Sequence, residues 1–86
     1  MSDKANKLLQ HARSAPNGWM KVDLEKLYVA FGFIIEEGSS HTIASHPDHL
    51  ELVGTIRRSS KELSPAYVKS AVSLIDQLIL LESKNG

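Results

Sequence analysis

Imidazole is the side chain best suited to moving a proton near neutral pH, and three of the chain's four histidines, His41, His46 and His49, fall close together. His41 follows Gly38-Ser39-Ser40 and opens the run Thr42-Ile43-Ala44-Ser45-His46-Pro47. That pattern places His41 where a hairpin opens, beside residues small enough for a backbone phosphate to come close. It is either a proton-transfer group there or an exposed residue at a strand start. Successive turn amides of Gly38, Ser39 and Ser40 can cradle a phosphate, or simply reverse the chain. Further on, Arg57, Arg58 and Lys61, with Lys69 beyond them, face only the carboxylate Glu62. Such a patch can hold phosphates and stabilise transition-state charge, or it is an ordinary solvated loop. Glu36, Glu37, Asp48 and Glu51 would repel RNA if they shared a face with His41.

Other chemistries find less support. Five residues apart on one strand, His41 and His46 point to opposite faces, and no carboxylate stands at a recognised ligand spacing, so no metal is expected. His11, beside Leu8, Leu9 and Ala12, reads as structural or exposed. There is no nucleophile triad, phosphate-binding loop, dinucleotide fingerprint or paired-carboxylate arrangement, and no cofactor is called for. With no cysteine, disulfides and thiolate metal sites are excluded, which is compatible with a cytoplasmic location. No apolar run approaches the ~20 residues needed to cross a bilayer, and the first residues do not form a signal peptide. Ten basic and ten acidic side chains cancel, whereas a chain that grips phosphates usually carries a basic excess.

These groups need a scaffold. Eighty-six residues, 42% of them hydrophobic, make one globular domain, residues 1–86, near the lower end of what a single core can stabilise. Ala5, Leu8, Leu9 and Ala12 form the stripe of an amphipathic helix over residues 3–13, stopped by Ala15-Pro16-Asn17-Gly18. Trp19 either seals a seam between helices or stacks on a base. Leu24, Leu27, Tyr28 and Phe31 mark a second helix, and Gly32-Phe33 fits a Schellman ending. Strands are expected at 33–37, 41–46 and 50–57, with Leu50, Leu52, Gly54 and Ile56 on one face of the last. Ser64-Pro65 caps a third helix whose inward stripe is Val68, Ala71, Val72, Ile75, Leu78 and Ile79, with fraying from Ser83. Tyr67, Leu74 and Leu81 widen its apolar surface, which calls for a second contact, either the first helix or another chain as a homodimer through this C-terminal helix. The fold class is therefore α+β: a three-stranded antiparallel sheet with helices on one face, in α-α-β-β-β-α order.

The Ser40-His41 and His46-Pro47 pair, at this spacing, resembles the signature of the HicA family of toxin–antitoxin ribonucleases, and the ten-residue helix ending in Gly-Phe before a strand is a second point of similarity. The family departs from this chain at Ser39, where glycine is usual, and at Ala44, where an aromatic or bulky residue is usual. The resemblance implies a double-stranded-RNA-binding-domain-like core over about residues 19–82, behind an extra N-terminal helix. It implies a cytoplasmic mRNA interferase that cuts mRNA without a metal, with His41 as general base. Gly38, Ser39, Ser40, Arg57, Arg58 and Lys61 would then contact RNA, and a HicB-like antitoxin would cover the site. The alternative is a non-catalytic RNA-binding or protein-interaction module of the same fold.

Overall fold

Six elements follow one another in the computed structural model, which describes residues 3–57 and 62–85. They are α1 (Asp3–Ser14), α2 (Lys21–Ala30), β1 (Ile34–Glu37), β2 (His41–His46), β3 (His49–Arg57) and α3 (Pro65–Asn85). The expected order of elements is the observed one. The sheet is antiparallel in the order β1-β2-β3, and all three helices lie on one side of it.

Local chemistry sets most boundaries. Asp23 accepts a hydrogen bond from the Met20 amide at 3.0 Å, which satisfies a donor at the start of α2 and puts a carboxylate on its positive end. At the other end Gly32 takes a φ of +91°, and the amides of Gly32 and Phe33 donate to Val29 and Tyr28. This is the left-handed ending that only glycine adopts without strain. The segment before α3 returns to the beginning of α2, where the Leu63 amide donates to the Trp19 carbonyl at 2.8 Å.

The inner sheet face presents Thr42, Ala44 and His46 of β2 with Leu52, Gly54 and Ile56 of β3, all buried. Against it lie Leu24, Leu27 and Tyr28 of α2 and Val68, Ala71, Ile75 and Leu78 of α3. Helix α1 adds Ala5, Leu9 and Ala12 and is tied to α3 by the Arg13 guanidinium, which grips the Asp76 carboxylate with both terminal nitrogens. The hydrogen bond to Asp76 raises the Arg13 pKa, but both partners are well exposed and the pair adds little stability. Part of the wide apolar surface of α3 is thus answered within the chain.

Trp19 is buried, donates its indole N–H to the Ala15 carbonyl at 2.7 Å and packs its ring on His11 at 5.4 Å. It seals a seam and is not available to stack on a base. Two expectations are corrected. The two-residue alternation puts Leu50 on the same face as Leu52, Gly54 and Ile56, but it is 73% exposed. The register jumps from Ser45↔Val53 to His46↔His49, so the residues between His49 and Val53 lack partners and the two-residue alternation fails there. Helix α3 also continues to Asn85, through the stretch expected to fray from Ser83.

Tyr28 occupies the middle of the core. Its ring meets the edge of Phe33 at 5.1 Å, and its hydroxyl lies where a side chain at Gly54 would begin, 2.3 Å from the position of a Cβ. Gly54 is paired with Ala44, so a small pair in the sheet makes room for a large ring from α2. Burial pushes the Tyr28 pKa up from 10.0 to about 12. The folded chain therefore holds this proton after the unfolded chain has released it. Stability should fall as pH rises from about 10 towards 12, by an amount on the order of 2–3 kcal/mol. Alkaline melting curves should drop more steeply for the wild type than for Tyr28→Phe, and equal slopes would refute this assignment.

Candidate functional site

The β1–β2 hairpin turns over Ser39 and Ser40, closed by the Gly38 amide donating to the His41 carbonyl at 2.8 Å. The amide of Gly38 is thus engaged in the hairpin itself. A Cβ at Gly38 would sit 2.7 Å from that carbonyl oxygen, so glycine is required here for close approach. Ser39 has no positive φ, and its backbone makes no demand for glycine. Gly38→Ala should therefore loosen the hairpin beside His41, whereas Ser39→Gly should not. Amide exchange at Gly38 measures this, and equal protection in the two variants would contradict it.

His41 stands exposed at the start of β2, on the sheet face away from the helices. Its Nδ1 lies 3.2 Å from the Ser40 hydroxyl oxygen. Directly across the ladder is Arg57, also exposed. Side chains in such opposite positions have Cβ atoms about 5 Å apart, so one phosphate can touch both. Arg58 and Lys61, the other basic residues expected to contact RNA, lie outside the described residues. Lys69 is exposed on the first turns of α3.

His46 lies on the inner face, as its spacing from His41 requires. It is buried against the edge of Phe33 at 5.3 Å, and its Nδ1 accepts the Asp48 amide at 3.2 Å. Among the described residues no group of three His, Cys, Asp or Glu is placed to hold a metal ion. The acidic residues divide. Glu37 turns towards the helices, accepting from the Thr42 hydroxyl at 3.0 Å and from Lys21 at 3.1 Å. Hydrogen bonds from Lys21 to Glu25, and secondarily to Glu37, raise the Lys21 pKa. Glu36 pairs with Ile43 and shares the outer face with His41. Glu51 is exposed on β3, at the end away from Arg57. An approaching polyanion is therefore repelled on the β1 side of His41 and attracted on the β3 side.

Two features of this face escaped the sequence. Ile34, Ile43 and Val53 are 49%, 39% and 46% exposed and lie together around Ser45, an apolar patch next to the histidine. At the free edge of β3 a cleft of about 380 Å³ runs between the strand and α3, with Tyr28 among its walls. A glycine in mid-strand is a signal for close approach by another element, and Gly54 could have been read that way.

Compared with family models, curated protein sequences and solved structures, the chain matches none of them.

Proposed function

We propose that this domain is a HicA-like mRNA interferase of the cytoplasm, cutting RNA at the exposed pair of His41 and Arg57. The observation that carries this reading is the cross-strand pairing of these two residues at the mouth of a tight hairpin. If Nδ1–H donates to the Ser40 oxygen, the lone pair on Nε2 is left to take the proton of a ribose 2′-hydroxyl. The 2′-oxygen then attacks the adjacent phosphorus, the 5′-oxygen of the next nucleotide departs and takes a proton from water, and a 2′,3′-cyclic phosphate remains. Arg57 lies where it can bind the phosphate as negative charge accumulates on its oxygens. Base and cation both belong to the chain, so cleavage proceeds in chelator.

The apolar patch of Ile34, Ile43 and Val53 favours a protein cover on the same face, the place for a HicB-like antitoxin. That patch also suits the alternative, a protein-interaction or RNA-binding module without catalysis. Exposed Leu80 on α3 is where two copies could meet. Purified protein incubated with single-stranded RNA in chelator at low salt separates the readings: cleavage supports the nuclease, and retention of intact RNA supports the module. Arg57→Ala should weaken RNA binding and lower the slope of log affinity against log salt by about 0.7, the value for one phosphate contact on a single strand. An unchanged slope would remove Arg57 from the interface.

A further inference from the structure

The cleft at the free edge of β3 has a distinctive lining. Its walls include Thr55 of the strand, Tyr67, Ser70, Ser73 and Gln77 of α3, and the Tyr28 ring. No charged side chain is among the residues that line it. Tyr28 is 1% exposed as a whole residue but is among the residues that line the cleft, and no fully buried side-chain oxygen or nitrogen among the described residues is left without a partner. The volume is at the small end of the range for ligand pockets.

We propose that this cleft binds a nucleobase. Hydroxyls and one carboxamide offer both donors and acceptors to the edge of a flat, uncharged ring, and Tyr67 offers an aromatic face of the kind on which bases stack. A phosphate, carboxylate or amine would find no countercharge. The position fits an RNA strand held at His41. Thr55 is opposite Ile43 and two residues from Arg57, so the rim of the cleft lies about 7–8 Å from His41 by ladder geometry. A neighbouring nucleotide spans that distance, and Glu36 on the opposite side steers the strand this way. The origin of the base in RNA rests on the proposed nuclease reading, whereas its recognition by the cleft does not.

The test is nuclear magnetic resonance of the ¹⁵N-labelled wild type titrated with adenosine, cytidine, guanosine and uridine in turn, at millimolar concentration. At least one nucleoside should shift the amides of Gly54, Thr55, Ser70 and Ser73 and the side-chain amide of Gln77. Tyr28→Phe removes only the hydroxyl and should weaken that binding roughly two- to ten-fold. Ser73→Leu, at an exposed helical position, should block it. Absence of shifts at the cleft with all four nucleosides, or equal affinity in both variants, overturns the proposal. A second arm uses single-stranded RNA on His41→Ala. Movement of the same resonances assigns the base to the RNA strand, and movement by nucleosides alone assigns the cleft to free nucleosides. RNA left uncut by a wild type that still binds nucleosides would refute the nuclease and not the cleft.

Discussion

His41→Ala should abolish RNA cleavage and any inhibition of growth while leaving the fold intact. Positioned general bases contribute factors of about 10²–10⁴, so residual cleavage should fall by roughly three orders of magnitude. The side chain is exposed and its recorded polar contact is with the neighbouring Ser40. Its removal should therefore change stability by less than about 0.5 kcal/mol. Cleavage assays beside thermal melts check both halves. A variant that melts like the wild type and still cuts at full rate would take the base away from His41. A variant that loses cleavage only because it unfolds would show that the histidine is structural.

The second large effect concerns the core. Gly54→Ala should destabilise the domain by about 3 kcal/mol, the upper part of the range for overpacking a tight interior. The new methyl would sit 2.3 Å from the Tyr28 hydroxyl oxygen and 2.9 Å from its Cζ. The ring packs on the edge of Phe33 at 5.1 Å, so moving it aside gives up core packing. Against a total of about 5–15 kcal/mol for a domain, this is a large fraction. Adding Tyr28→Phe removes the nearest atom but not Cζ, so the double variant should recover part of the loss. Denaturant melts of the two single variants and the double variant measure this coupling. Strict additivity would mean that Gly54 and Tyr28 do not constrain one another.

What the sequence revealed, and what it hid, divides along physical lines. The Gly32 ending of α2 and the opposite facing of His41 and His46 rest on residues a few positions apart, governed by local backbone geometry. The order of elements follows from hydrophobic periods that the burial bears out almost throughout. Leu50 broke its pattern because three unpaired residues interrupt β3, an event fixed by the pairing partner. Tyr28 over Gly54, and the cleft this creates with α3, join elements distant in sequence, so neither residue alone announces the other. The pairing of His41 with Arg57 depends on register, which the expected hairpins suggested but did not specify.

In the proposed reaction the 2′-hydroxyl beside the scissile phosphate is the nucleophile and His41 removes its proton. The most direct measurement compares an all-RNA oligonucleotide with one carrying a single 2′-deoxy sugar at the cleaved position, in chelator, followed by analysis of the ends. The first should give a 2′,3′-cyclic phosphate and a 5′-hydroxyl, and the second no cut at that position. Cleavage at the deoxy sugar, or fragments ending in a 5′-phosphate and a 3′-hydroxyl, would contradict it.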